Sequence, residues 1–161
     1  MRLRWRFDYQ TVMAIICFAI FTFCMLKYFE PAEAISYKIS GKISIPAISF
    51  ESDVTKLKME DGRLNTPTDI VGSFNRYENK TLLMGHSSTA FRGLENARIG
   101  QEIHYNNHIY SIYSIEIAER DVIDMDELLK DDVVDSLVLM TCTGRLYGNG
   151  DASHRLIIFA R

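Results

Sequence analysis

Residues 135–142 have the sequence DSLVLMTC, and residues 155–159 near the end of the chain have the sequence RLIIF. Each run is short and apolar and is bounded by polar or turn-forming residues, as is typical of a strand buried in a sheet. Between the two runs lies a loop rich in glycine, residues 143–153. The pattern predicts two β-strands, with Cys142 at the end of one and Arg155 at the start of the other.

Shorter β-like segments precede these two strands. Residues 42–46 alternate polar and apolar side chains up to a proline, and residues 81–84 form an apolar run that ends at Gly85 and His86. Residues 101–105 and 108–119 predict a hairpin around two asparagines, which tolerate positive φ. Residues 124–130 predict a short helix capped by Asp124. About eight strands and two short helical pieces predict a mainly β barrel.

The N-terminal part of the chain has a different composition. Three arginines, Arg2, Arg4 and Arg6, precede an apolar run at residues 11–29 in which Lys27 is the only charge. Positive residues stay on the cytoplasmic side, so this pattern predicts a transmembrane helix with the rest of the chain outside. A cleaved signal peptide is the alternative, because residues 32–34, AEA, have the form of a processing site.

These features divide the chain into three predicted parts: a cytoplasmic tip and membrane anchor at residues 1–29, a linker at 30–40 and an outer domain at 41–161 that contains the predicted barrel. From residue 30 onward there are 14 basic and 20 acidic residues, a net charge of −6. A nucleic-acid partner would require a basic face, so we expect no nucleic-acid binding.

Cys142 is the only cysteine of the predicted outer domain, since Cys17 and Cys24 lie in the apolar N-terminal run. An unpaired thiol in an exported domain is either an inert core residue or a reactive group. A cysteine thiolate can attack an amide carbonyl, and an imidazole such as that of His86 can transfer the proton. The guanidinium of Arg155 can stabilise the oxyanion, because it stays charged and donates several hydrogen bonds.

The residues around these three groups resemble those of the sortase family. Residues 138–142, VLMTC, are similar to the family's Thr-Leu-x-Thr-Cys signature, although Val138 replaces the first threonine, and Arg155 opens the last apolar strand as the family's arginine does. Residues 82–87, LLMGHS, resemble the segment around the catalytic histidine, and residues 43–48, ISIPAI, resemble the opening strand. The resemblance covers about residues 40–161.

This resemblance implies a closed eight-stranded β-barrel with short helices, preceded by a transmembrane helix, on the outer face of a bacterial cytoplasmic membrane. Cys142 would be the nucleophile, His86 the acid and base, and Arg155 the donor to the substrate or oxyanion. Four neighbours of these groups are expected to support substrate binding: Ser87, Met140, Thr141 and Thr143. The segment 119–135 would correspond to the loop that holds the substrate.

The implied activity is that of a cysteine transpeptidase. It would cleave a Leu-Pro-x-Thr-Gly-like sorting signal near the C-terminus of a substrate protein. It would then transfer the acyl group to an amine of a cell-wall precursor or of a pilin lysine. We expect no cofactor. We also expect no metal, since Glu78 alone matches the acidic cluster that binds calcium in some relatives.

Two other functions fit the same residues. A cysteine hydrolase would release the acyl group to water through the same intermediate, and an anchored scaffold domain would have an unreactive Cys142. The other histidines are weaker candidates for the base. His104 and His108 flank the predicted hairpin turn, and His154 neighbours Arg155 on a strand, so the two side chains should point to opposite faces.

Overall fold

A computed structural model describes residues 9–28, 37–60, 63–77, 79–130, 135–148 and 151–161. The backbone contacts divide the chain into two units, Met1–Ser36 and Tyr37–Arg161. The processing site predicted at residues 32–34 lies outside the described residues, as does most of the linker predicted at residues 30–40.

The described part of the first unit is one helix, α1, at Tyr9–Tyr28. Large apolar side chains along it are exposed, among them Ile15, Phe18 and Phe23. Within the described residues, none of the helices combines the length and the apolar character that a membrane crossing requires. The membrane anchor therefore stays a prediction.

The second unit contains a closed barrel of eight strands, which confirms the predicted mainly β fold and its strand number. The eight strands are β1, Ile39–Ile45; β2, Phe50–Lys56; β5, Val71–Tyr77; β6, Lys80–Gly85; β7, Glu102–Tyr105; β8, His108–Glu119; β9, Ser136–Leu146; and β10, Ala152–Ala160. Around the barrel they follow the order β1, β2, β5, β6, β9, β10, β8 and β7. A separate two-stranded sheet pairs β3, Met59–Glu60, with β4, Arg63–Leu64.

Short helical pieces lie between the strands. Three of them are 3₁₀ turns, at Pro46–Ile48, Leu94–Asn96 and Arg120–Val122. The fourth is the helix α2 at Met125–Leu128, where the Asp124 side chain accepts hydrogen bonds from the backbone N–H groups of Asp126 at 2.8 Å and Glu127 at 3.3 Å. The predicted helix and its cap are therefore confirmed, although the helix is shorter than residues 124–130.

The hairpin between β7 and β8 also has the predicted turn. Asn106 and Asn107 adopt φ values of 48° and 67°, which close a two-residue turn between paired strands.

The pairing of β8 with β10 has one irregularity. Its register shifts between Phe159 and Ala160, near the end of the chain.

The strands β6, β9 and β10 are buried on both faces. Leu83, Leu137, Leu139 and Ile158 point into the barrel core. Leu82, Val138, Met140 and Ile157 point outward, where Leu129 and the side chains of α2 cover them. Burial on both faces explains why residues 137–140 and 156–159 are continuously apolar and do not alternate with polar residues.

One boundary differs from the sequence prediction. The strand β9 does not end at Cys142 but continues to Leu146, so residues 143–146 belong to a strand and not to the predicted loop. The extension forms because β10 begins at Ala152 and pairs with Leu146 there. Cys142 therefore lies inside a strand, so the alternation of side chains along β9 determines the face from which the thiol projects.

Candidate active site

The candidate site lies where β9 loses one of its two neighbours. The parallel pairing of β6 with β9 runs as far as Gly85 and Thr141, and His86 then begins a turn. On its other side β9 remains paired with β10, which places Arg155 directly opposite Cys142. The end of β6 thus uncovers one side of Cys142, while β10 holds its backbone in place.

A buried hydrogen bond fixes the junction between β6 and β9. The Thr141 hydroxyl donates to the backbone carbonyl of Gly85 at 2.7 Å. Gly85 also allows a close approach, because a Cβ there would lie 2.9 Å from the ring of Phe91. The backbone carbonyl of His86 accepts a hydrogen bond from the N–H of Phe91 at 2.9 Å. These contacts determine where the chain leaves the strand and where the His86 side chain begins.

The three predicted side chains come together in a groove of about 330 Å³, called here the Cys142 groove. Its lining consists of Thr66, Met84, Gly85, His86, Met140, Thr141, Cys142, Asp151 and Arg155. In the part of the chain that the structure describes, no hydrogen bond joins the His86 ring to the Cys142 thiol. The groove is therefore lined by a thiol, an imidazole and a guanidinium as separate groups around one space.

The Arg155 guanidinium is held by its own hairpin. Its Nη1 donates to the backbone carbonyls of Ala152 at 2.9 Å and His154 at 3.1 Å. Its Nη2 donates to Oδ1 of Asp151 at 2.8 Å. The side chain is only 16% exposed, so these contacts fix the orientation of a group that faces the groove.

Asp151 is a site residue that the sequence prediction missed. Its carboxylate accepts hydrogen bonds from Arg155, from the backbone N–H of Ala152 at 2.8 Å and from Nη1 of Arg120. These bonds, with that of Arg155 first, lower the pKa of Asp151 to about 2. In the sequence Asp151 is one acidic residue in a glycine-rich loop. The only sequence signal for its contact with Arg155 is its position four residues before that arginine.

A second groove, also of about 330 Å³, reaches Cys142 from another side. Two of the predicted supporting residues, Ser87 and Thr143, line this second groove and not the Cys142 groove, whereas Thr141 lines both. Glu95 is an exposed carboxylate along the same lining. Cys142 is thus accessible from two directions.

A larger groove, about 960 Å³, extends from the site toward α2 and is called here the α2 groove. Its lining is mostly apolar and includes Leu64, Phe74, Met125 and Leu129. It shares Met84, Met140, Asp151 and Arg155 with the Cys142 groove, so the two grooves adjoin at these residues. An ion pair between Arg76 and Asp126 also lies along it.

The other histidines lie outside the Cys142 groove. The rings of His104 and His108 lie near acidic side chains, 3.4 Å from Glu102 and 3.9 Å from Asp135 respectively. His154 Nδ1 is 2.7 Å from the Ser153 hydroxyl, and His154 does not line the Cys142 groove that contains Arg155. Within the described ranges, no group of three His, Cys, Asp or Glu side chains could hold a metal ion.

Residues 43–161 match a known domain, the sortase domain. The chain belongs to the sortase family. This family consists of cysteine transpeptidases, and the match covers all of the barrel except the first residues of β1. No curated protein matches the sequence.

Solved sortase structures share the fold of this sortase. Sortase C from Clostridium perfringens SM101 matches with a TM-score of 0.57 and 22% identity, over 76% of this chain and 68% of its own. Sortase A from Corynebacterium diphtheriae also gives 0.57 and 22%, over 84% and 66% of the two chains. Sortase A from Listeria monocytogenes gives 0.59 with 13% identity, over 76% and 86%.

Proposed function

We propose that this sortase is a transpeptidase in which Cys142 is the nucleophile, His86 the acid and base, and Arg155 the cation that stabilises developing negative charge. The observation that carries the proposal is that these three side chains line one groove at the point where β9 loses its β6 neighbour. The arrangement gives a thiol, a proton carrier and a fixed cation access to the same peptide bond.

The reaction proceeds in two steps. The Cys142 thiol gives its proton to His86, and the sulfur attacks the carbonyl carbon of an amide while Arg155 stabilises the resulting oxyanion. His86 then gives that proton to the amine nitrogen as the C–N bond breaks. The product is a thioester on Cys142. In the second step an incoming amine loses a proton to His86, attacks the thioester carbon and releases the thiolate.

The proposed substrates are proteins that carry a sorting signal similar to Leu-Pro-x-Thr-Gly near the C-terminus. The α2 groove supports this proposal, because a mostly apolar groove that adjoins the Cys142 groove suits a leucine and a proline in extended conformation. One matched structure is of Clostridium perfringens sortase C with the C-terminal cell wall sorting motif, at 22% identity over 79% of this chain.

The proposed acceptor is an amine, from either a cell-wall precursor or a pilin lysine. The second groove supports a separate path for it, because an acyl chain in the Cys142 groove leaves the other side of Cys142 accessible. The exposed Glu95 carboxylate on that side would attract a positively charged amine.

The proposed location is the outer face of a bacterial cytoplasmic membrane, with the N-terminus inside. The support comes from the sequence, in which Arg2, Arg4 and Arg6 precede the apolar residues 11–29. Protease treatment of intact cells tests this location: the barrel should be digested, while a tag at the N-terminus should be protected.

The activity is tested with the purified chain and a peptide that contains a Leu-Pro-x-Thr-Gly sequence. Mass spectrometry should detect a thioester on Cys142 and, after addition of an amine, a new amide product. The Cys142→Ala variant should form neither and should unfold at the temperature of the wild type. Transfer by that variant would disprove the nucleophile assignment, and release of acid alone in the presence of amine would favour a hydrolase.

A further inference from the structure

Arg155 has five N–H donors, and its hairpin uses three of them. Nη1 donates both protons to backbone carbonyls, and Nη2 donates one proton to Asp151. In the described part of the chain, no hydrogen bond uses Nε–H or the second Nη2 proton. These two donors are the ones that remain for a substrate in the Cys142 groove.

Asp151 is the only anionic contact of that guanidinium among the described residues, and it bridges two arginines. Its Oδ1 accepts from Arg155, and its Oδ2 accepts from Arg120, which belongs to the 3₁₀ turn at Arg120–Val122 after β8. Arg120 also pairs with Asp121, at 2.8 Å, so four side chains form a chain of ion pairs in the order Asp121, Arg120, Asp151 and Arg155. Arg120 thus holds the Asp151 carboxylate through the oxygen that does not contact Arg155.

The position of Asp151 connects it to both parts of the proposed substrate channel. It lines the Cys142 groove and also the α2 groove. Its side chain is 30% exposed, so its ion pairs lie at the surface of the channel and not in the core. A residue that only closed the loop between β9 and β10 would not have to line both of these grooves.

We propose that Asp151 is a positioning residue that holds the Arg155 guanidinium toward Cys142, with Arg120 holding the Asp151 carboxylate in place from the turn after β8. This inference rests on the proposed function, because it assigns Asp151 a role in the same acyl transfer. The inference goes beyond the proposed function because it links the turn after β8 to Arg155, the cation proposed to stabilise the oxyanion.

The test compares single-turnover acylation of Cys142 with steady-state kcat and KM, using the Leu-Pro-x-Thr-Gly peptide. The Asp151→Asn variant should lose about tenfold in kcat with KM within about twofold, because a misplaced cation affects the transition state more than binding. The Glu51→Gln variant is the matched control. Glu51 also forms an ion pair, with Lys42 at 3.4 Å, but it lines none of the three grooves around Cys142 and α2, so both constants should be unchanged.

A double variant separates positioning from general damage to the fold. If Asp151 acts through Arg155, then Asp151→Asn should cause little further loss of acylation rate in an Arg155→Lys background. A second variant, Arg120→Gln, removes the ion pair that holds the other oxygen of Asp151, so it should reduce kcat by a few-fold with the melting temperature unchanged.

The outcomes distinguish this inference from the proposed function. Wild-type protein that forms no thioester would disprove the proposed function. Active wild type with an equally active, folded Asp151→Asn variant would overturn the positioning role alone. An equal loss from Asp151→Asn in the wild-type and Arg155→Lys backgrounds would overturn it too, because Asp151 would then act independently of Arg155.

Discussion

Two sectors of the barrel differ in how many of their faces are buried. The strands β6, β9 and β10 have apolar side chains on both faces, covered by the core inside and by α2 outside. The hairpin of β7 and β8 is buried on its inner face through Ile103, Tyr105, Tyr110 and Ile112, while side chains such as Ile109 remain exposed outside. All three candidate catalytic side chains lie at the end of the doubly covered sector. The difference indicates that the site is built where the strands are packed on both faces.

The largest expected effect is on stability in the doubly covered sector. Leu82 is fully buried in the cluster under α2, and Leu82→Ala should lower the free energy of unfolding by about 2–5 kcal/mol, because it leaves a cavity. The matched change in the hairpin is Ile109→Ala, where the side chain is 64% exposed; it should alter stability by less than about 0.5 kcal/mol. The free energies of unfolding of the two variants can be measured by urea unfolding. Equal losses in the two variants would contradict the comparison between the two sectors.

The next effect is on catalysis at the end of the same sector. Arg155→Lys keeps the charge but loses the planar fork that binds Ala152, His154 and Asp151, so kcat/KM should fall about 100-fold. Arg145→Lys is the control, because Arg145 is exposed on β9 and lines neither the Cys142 groove nor the second groove. Near-normal turnover by the Arg155 variant would remove this residue from the mechanism.

A smaller effect is expected at the junction of β6 and β9. Thr141→Val keeps the shape of the side chain but removes the hydrogen bond to the Gly85 carbonyl, which should cost about 1–2 kcal/mol of stability. Because Gly85 precedes His86, acylation should also slow. Thr141→Ser retains the hydroxyl and should recover most of both losses; failure of serine to do so would show that the hydrogen bond does not explain them.

The smallest effect concerns acid stability. The pKa of Asp151 is lowered to about 2, first by Arg155, so its ionised form stabilises the fold above the unfolded pKa of about 4. This contribution is lost as the pH falls from about 4 to about 2, and solvent screening limits it to at most ~1 kcal/mol. Urea unfolding of wild type and Asp151→Asn should therefore differ most above pH 5 and converge near pH 2. A difference that persists at pH 2 would contradict the ionic explanation.

The doubly covered sector was also the part best predicted from sequence. The continuous apolar runs at residues 137–140 and 156–159 predicted buried strands, and the motifs around Cys142, His86 and Arg155 predicted a common site. Register was not predictable, because no local pattern shows that Cys142 lies opposite Arg155. The end of β9 was misplaced because glycines in residues 143–153 indicate a loop, whereas pairing with β10 extends the strand.

Features that depend on tertiary contacts were missed. Asp151 has no periodic neighbours, so only the folded hairpin shows that it joins Arg120 to Arg155. On β8, Ile115 packs against the core but Ile117, two residues later, is 66% exposed. Strand alternation alone would have buried both.

The continuity of β9 through Cys142 has a consequence for how this site can change in evolution. Side chains on a strand alternate between faces, so one residue inserted between Ser136 and Cys142 would turn the thiol to the opposite face. The length of this segment is therefore constrained together with the identity of the cysteine. An insertion beyond Leu146 would leave the alternation from Ser136 to Cys142 unchanged, because the strand has already passed the site there.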